Sequence, residues 1–590
     1  MDKLKYLFVL AFLIANKPFA IAQKSNSLNE NKNITTSTGE NIFIHTNATT
    51  FVTGETLYYK LYCLNRVNNK LSQISKIAYI ELIDSNKENV FTHKLFLENG
   101  TGQGDFFVPT TIKTGNYKLI AYSHWMLNMP VSEIFQLDIA IINPFQNYEK
   151  NGTNSVSNIT SSPKENIRKE NNLIEGSTFK NKDVTLNLNK KTFSNREQIT
   201  LQIESLSEIG NYSLSVRKVE DLIRKPQLHA KEYVTNHSQT INELSSNENE
   251  IILPELRGEM ITGMVVSKKE SNTVANKTVA FSIPGNSYAF KIAKTNQSGK
   301  FIFNIDKAYY NSDIVLQITD DDRENFYIKL DKPRTVDHSL LPLISYLELT
   351  PDMKNSIQER STASQIENAY QNKKTDSIAK RTIPDSFFDP NAKEYILDNY
   401  TRFPTLKETI IEVVAEMYFK QKENNYTLHL RDTNFITEEI PEPSLVLVDG
   451  LLIQNATELF DYKTENIYKI SIVPGIYYYG PKAFNGIISI TTKNNDFISK
   501  MNGDHILKTT ISKPVIKKVY FQPDYSNGTK YERIPDYRNQ LLWLPELTLD
   551  NRKKTISFYA SDITGTFEIV LEGFTDKGIP ISHKEIIEVK

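Results

Sequence analysis

The sequence predicts a mainly β protein: tandem β-sandwich modules together with one α+β module. Three observations predict it. Aromatic residues are abundant, with 30 Tyr and 30 Phe, and β-branched residues recur beside them, a composition suited to pleated, half-buried surfaces. Short stretches of alternating apolar and polar residues are separated by Gly-, Asn- and Pro-containing turns. One stretch, 405–417, instead joins a helix-capping pattern to helical apolar spacing. At 590 residues the chain is too long for a single core, so several domains follow.

The N-terminus reads as a signal peptide over 1–22. Lys3 and Lys5 form a basic region, Tyr6 to Ala15 an apolar core, and Ala20-Ile21-Ala22 a small-residue site before Gln23. A retained signal anchor is the alternative, although the apolar run is short for a membrane span. No later apolar run of about 18 residues predicts a span in the mature chain. The formal net charge is −1, which gives no basis for binding nucleic acid or an anionic membrane surface. Cys63 is the one cysteine. It lies in the strand-like Tyr58-Tyr-Lys-Leu-Tyr-Cys63, so it is expected to be a buried thiol.

The first sandwich is placed at 40–145. Gly54-Glu55 opens one strand, Ile77-Ala-Tyr-Ile-Glu-Leu-Ile83 forms another, and Gly115-Asn-Tyr117 opens a late one. Residues 146–177 are rich in Asn, Ser, Thr and Lys and read as a linker. A second sandwich is placed at 178–256, where Thr192-Phe-Ser-Asn-Arg-Glu-Gln-Ile echoes Thr50-Phe-Val-Thr-Gly-Glu-Thr-Leu. A third follows at 257–331, where Gly299 supplies the positive φ of a turn. Residues 332–395 are polar, and Met353 to Ala379 is open to a helix or a long linker.

The α+β module is placed at 396–497. Thr405 and Glu408 form a capping box. Leu406, Ile410, Val413, Val414 and Met417 make a stripe expected to pack on the adjacent sheet. Strands follow from Leu445 to Thr492, with Asp449-Gly450 as a tight turn. A last β-sandwich is placed at 508–590. There Thr555-Ile-Ser-Phe-Tyr and Gly565-Thr-Phe567 resemble the strand-turn-strand of Phe106 to Tyr122, and Trp543 is expected to anchor the module.

These motifs carry family resemblances. Gly54-Glu55 and Gly115-Asn-Tyr117 resemble the macroglobulin-type sandwich. Gly258-Glu-Met-Ile-Thr-Gly-Met-Val with Asn296-Gln-Ser-Gly299-Lys-Phe301 resembles the prealbumin-like carboxypeptidase regulatory-like domain. Ser444-Leu-Val-Leu-Val-Asp-Gly450, the strand at Ile467–Pro474 and Tyr479-Gly-Pro-Lys-Ala-Phe-Asn-Gly486 resemble the plug domain of TonB-dependent outer-membrane receptors. A receptor barrel needs roughly 20 strands of about ten residues. Only about 93 residues follow Phe497. The whole is therefore similar to barrel-less, plug-containing envelope proteins of Bacteroidota type.

No catalytic, cofactor-binding or metal-binding residues are predicted. The nine histidines are scattered without the i, i+4 pairing of a zinc hydrolase, and no nucleophile elbow or phosphate-binding glycine loop occurs. Asp320-Asp-Asp-Arg-Glu324 lacks the ligand spacing of a calcium loop. A protease-trap role would, by family resemblance, require a thioester cysteine in a Gly-rich context, which Cys63 lacks.

The expected function is that of an exported, non-enzymatic component of interaction or assembly at the outer membrane. Its partners would be outer-membrane or other envelope proteins, and its location the periplasm or the outer-membrane surface. The candidate interaction surface is Asp449, Gly450, Tyr477, Tyr478, Tyr479, Gly480, Phe484, Asn485 and Gly486. The alternatives are an accessory component of TonB-dependent uptake and a glycan-binding adhesin.

Overall fold

A computed structural model describes residues 39–146, 184–205, 209–219, 222, 227–237, 251–342, 347, 349–379, 387–388, 392–423, 425–431, 443–460, 462–526, 531, 533–549 and 553–590. The signal-peptide reading and nearly all of the 146–177 linker lie outside them. Nine sheets occur among the described residues, and the architecture is mainly β. No described helix is long and apolar enough to cross a membrane.

The first sandwich pairs a three-stranded sheet with a five-stranded one. Thr56–Asn65 lies between Glu40–Thr46 and Thr101–Phe107. The facing sheet runs Thr50–Val52, Phe135–Ile142, Gly115–Tyr122, Ile77–Ile83, Asn89–Phe96. Alternating side chains meet between them, and Phe51, Tyr59, Leu61, Ile80, Leu119 and Ile139 are all fully buried. Cys63 is buried in the same core.

The second sandwich repeats this topology strand for strand. Its small sheet places Gln198–Ser205 between Val184–Leu188 and Lys553–Tyr559. Its large sheet runs Thr192–Phe193, Pro580–Val589, Gly565–Thr575, Gly210–Lys218, Gln540–Leu549. Even the short parallel pairings match: Thr50–Val52 lies along Ala140–Ile142, and Thr192–Phe193 along Glu588–Val589.

This corrects the domain reading. Segments 178–256 and 508–590 are not two sandwiches. They are the first four and last four strands of one. Four strands from 184–218 leave both sheets open and their apolar faces wet. The strands of 540–589 close both, and one core holds Ile199, Leu214, Leu547, Phe567 and Ile587. The chain leaves at Lys218 and returns at Asn539, whose carbonyl accepts from the Lys218 amide at 2.8 Å. Everything from 219 to 539 is an insertion at that point.

Within the insertion, a small sandwich stacks Lys300–Ile305, Glu259–Ser267, Phe326–Leu330 against Ala289–Lys294, Thr278–Ile283, Asp313–Ile318, Ile506–Thr510. Its last strand comes from beyond residue 497, so the small sandwich also encloses an insertion. That inner insertion holds the α+β module. Its mixed sheet runs Lys393–Ile396, Ile467–Tyr479, Lys482–Thr492, Leu445–Val448, Leu451–Leu452. The helix Leu406–Glu412 starts at a complete capping box between Thr405 and Glu408. It lays Leu406 and Ile410 into a core with Val414, Met417, Ile470 and Ile488.

The open reading of 353–379 resolves into a helix at Lys354–Ala369. Its buried residues are Arg360, Ser361, Ala363 and Ser364, with no large apolar stripe. A helix polar on every side is placed by ion pairs and close small-residue contact between bodies rather than by a core. Here Asn368 donates to the Gly54 carbonyl at 3.0 Å.

Candidate interaction surface

The nine residues predicted as an outward surface are mostly committed inward. Asp449 is buried, at 4% exposure. Its carboxylate accepts from the Thr492 amide at 2.8 Å, the Thr492 hydroxyl at 2.6 Å and the Phe497 amide at 3.2 Å. It clamps the turn onto the neighbouring strand. Gly450, at φ +83°, has no room for a Cβ, which would stand 2.2 Å from Tyr288 Cβ of the small sandwich. Gly486, at φ +76°, is closed by the Val473 carbonyl, 2.4 Å from a Cβ placed there.

The aromatics divide by pleat. Tyr477 pairs with Phe484, and Tyr479 with Lys482, on one face of a hairpin arm. That face docks on the chain itself. Tyr479 stacks on Phe290 with centroids 5.5 Å apart and donates to the Phe290 carbonyl at 2.5 Å. Tyr477 donates to the Phe387 carbonyl at 3.2 Å. Phe484 joins a buried cluster with Phe290, Phe388, Leu447 and Ile487. Burial pushes the Tyr479 hydroxyl above its ordinary range. Asn485 donates to the Leu430 carbonyl at 3.3 Å. Gly480 lies beside Ile292, whose carbonyl would stand 2.9 Å from an added Cβ. Of the nine, Tyr478 and Gly480 are exposed, and Tyr478, at 76% exposure, carries the one side chain that projects fully. The α+β module therefore docks its aromatic face on its own small sandwich.

Other junctions are polar and carried no local sequence signal. In the first sandwich, Glu55 accepts from the Val52 amide at 3.0 Å across the Gly54 turn. Glu197 repeats this with Ser194 at 2.8 Å, and Arg196, at φ 58°, stands where Gly54 stands. Glu55 alone gains a second role. It accepts from Arg360 Nε at 2.9 Å and Nη2 at 2.5 Å, and lies 3.4 Å from Arg217. That one carboxylate joins the first sandwich, the helix Lys354–Ala369 and the second sandwich.

A second junction ties the first sandwich to the small one. Lys94 pairs with Glu259 and donates to the Ser512 carbonyl at 2.6 Å. Tyr309 donates to Glu259 at 2.5 Å. Nearby, Glu255 lies 3.3 Å from His124 Nδ1 and accepts from the Met260 amide at 2.9 Å. Burial pushes the Glu255 carboxyl up to about 8 and the His124 imidazole down to about 4. The pair is therefore neutral near pH 7.

A third junction joins the two large sandwiches. His45 Nδ1 lies 2.7 Å from the Ser213 hydroxyl, and Tyr62 donates to that hydroxyl at 2.9 Å. Ser213 and His45 are only 0% and 3% exposed, so this Ser–His contact is a sealed strut. Trp543 is buried as expected, but against Tyr58 and His45 of the first sandwich rather than in its own module's core.

The acidic turn is likewise occupied. Asp320 accepts from Thr278, and Asp322 pairs with Lys277 at 2.6 Å. Among the described residues no group of three or more His, Cys, Asp or Glu is arranged to hold a metal ion.

No family model matches the chain, and no curated protein matches it. Solved structures similar to it include Salmonella alpha-2-macroglobulin reacted with methylamine. The identity is 9% and the TM-score 0.23, over 93% of this chain and 39% of that one. Escherichia coli alpha-2-macroglobulin activated by porcine elastase gives 8% and 0.24, over 93% and 44%. The Yersinia pseudotuberculosis adhesin InvE gives 9% and 0.12, over 49% and 57%. The chain thus spans well under half the length of these macroglobulins. Superposition this loose carries no argument about activity or partners.

Proposed function

We propose that this chain is an exported, non-catalytic protein of the cell envelope that works by binding and assembly, with outer-membrane proteins as its partners. The observation that supports the reading most is the bracing of its bodies. Glu55, Lys94 with Glu259, and the Phe290–Tyr479 stack each fasten one module to another. A chain braced in this way holds its outer surfaces at fixed spacing. Such preorganisation lowers the ordering cost of binding a large partner.

The plug resemblance of 444–493 motivates the outer-membrane assignment. It enters in modified form, because the aromatic face offered by that resemblance is spent on the small sandwich. Contact with a partner would then run through other surfaces, with Tyr478 at the tip of the arm.

In-cell photo-crosslinking tests this reading, with the crosslinker placed at Tyr478 of the full chain. Reproducible crosslinks to an outer-membrane protein are the expected result. Fractionation of the chain with the cytoplasm, or crosslinks confined to its own residues from several surface positions, would refute it.

A further inference from the structure

An open cleft of about 660 Å³ lies beside the point where the chain leaves and re-enters the second sandwich. This lies within the range of about 300–1,000 Å³ common for small-ligand sites. One wall is a single face of the helix Lys354–Ala369, carrying Asn355, Gln358, Glu359 and Thr362 at i, i+3, i+4 and i+7. The other wall is Lys218, Tyr537 and Asn539.

Both walls are fixed from behind. Arg360, on the same helix, is held by Glu55. On the far side Asp562 is held by Arg196 at 2.6 and 2.7 Å. The Lys218 and Asn539 backbones are bonded to each other at 2.8 Å.

We infer that this cleft binds a neutral oligosaccharide. Two of the four charges that line it, those of Arg360 and Asp562, are already ion-paired, with Glu55 and Arg196. The remaining two, Lys218 and Glu359, are of opposite sign. The two unpaired charges of the lining sum to zero and so single out no phosphate-bearing or polyacidic ligand. The free polar groups are instead amides and a hydroxyl. Gln358, Asn355 and Asn539 each offer a carbonyl and an amino group, and Thr362 a hydroxyl. Such side chains present donors and acceptors side by side, which matches the adjacent hydroxyls of a sugar ring. Tyr537, 38% exposed at the rim, supplies a flat amphipathic face for the ring's C–H side. The inference stands whatever protein partner the chain has.

The test is isothermal titration of the full chain with cellohexaose, maltohexaose, xylohexaose and laminarihexaose, following a glycan array that includes neutral and sialylated glycans. We expect saturable binding of at least one neutral oligosaccharide. Gln358→Ala with Asn539→Ala should weaken it at least fivefold without moving the thermal midpoint, because neither side chain bonds within the fold. Thr362→Trp should abolish it by filling the cleft. Tyr478→Ala should leave it unchanged. No neutral glycan bound on the array or at millimolar concentration would overturn the inference. So would undiminished binding by the Gln358→Ala/Asn539→Ala protein, or loss of binding in Tyr478→Ala.

Discussion

The Glu55 carboxylate grips the Arg360 guanidinium through two hydrogen bonds, of 2.9 and 2.5 Å, across 305 residues of sequence. Arg217 completes the site from the second sandwich. Burial alone would raise the Glu55 carboxyl. Arg360 and Arg217 outweigh it and hold the group below the ordinary carboxylate range. Removing one member of a buried charge group typically costs about 3–5 kcal/mol, because the partner is left uncompensated. Glu55→Gln removes the carboxylate that both guanidiniums share, whereas Arg360→Met leaves Glu55 with Arg217. We therefore expect the larger fall in urea midpoint from Glu55→Gln, with faster hydrogen exchange across 354–369. The folded group titrates below its unfolded value of about 4.3. Its stabilisation is thus present above that pH and is lost as pH falls through the folded value. Wild type should lose this contribution on acidification, and Glu55→Gln should not.

Gly450 should be intolerant of any side chain for two reasons. Its φ of +83° disfavours L residues, and a Cβ would overlap Tyr288. Gly450→Ala should loosen the α+β module from the small sandwich. Limited proteolysis should then show faster cleavage near 387–388 and 474–486, while the first sandwich keeps its protection. Uniform sensitivity across the chain would contradict a local docking role.

Asp449 tests the same turn from inside. Asp449→Ala leaves three donors of Thr492 and Phe497 without their acceptor, and a buried unsatisfied donor costs about 1–3 kcal/mol. Asp449→Asn keeps one acceptor oxygen and tolerates the residue's φ of 48°. The expected order of stability in chemical denaturation is wild type, then Asn, then Ala. Equal loss from both substitutions would argue that charge, not acceptor geometry, holds the turn.

Local patterning carried much of this fold. The Thr405–Glu408 box, the Leu406/Ile410 stripe and the strand at 445–448 are all short-range signals, and the structure has each in place. The repeat was legible too. Phe51 and Phe193 hold equivalent strands, and Gly115-Asn-Tyr117 corresponds to Gly565-Thr-Phe567. Nesting was not legible, since no residue near Lys218 or Asn539 encodes that their backbones meet. Burial of the candidate surface was hidden for a similar reason. A Tyr-rich hairpin arm has the same composition whether it faces water or Phe290. The Glu55–Arg360 and Lys94–Glu259 pairs join charges that each read alone as ordinary surface residues.

The split second sandwich makes a direct prediction. Residues 508–590 expressed alone contain three of the five strands of the large sheet and one of the three of the small sheet, so Phe567, Ile569 and Leu571 lose most of their facing strands. The fragment should show little amide dispersion by NMR and no cooperative melting. A chain joining 184–218 to 539–590 through a short Gly/Ser linker should fold, because Lys218 and Asn539 already touch. A cooperatively folded 508–590 fragment would refute the single-sandwich topology.

Glu255 should weaken the protein as pH rises. Its folded carboxyl titrates at about 8, chiefly because burial penalises its charge, against about 4.3 when unfolded. Between those values the unfolded chain has lost the proton that the folded chain retains. Stability therefore falls with rising pH, and the loss is complete above about 8. Groups facing Glu255 are Tyr79 and His124 from the first sandwich, with Lys94 and Glu259 nearby. His124 acts in the opposite range, remaining neutral when folded down to about 4 and costing stability as pH falls below about 6.5. Glu255→Gln mimics the neutral acid and keeps an acceptor for the Met260 amide. It should be more stable than wild type at pH 8, by a few kcal/mol at most, and equal to it at pH 4. Denaturation midpoints taken from pH 4 to 9 would check this. A wild-type profile parallel to that of Glu255→Gln would show that the carboxyl is ionised in the folded chain.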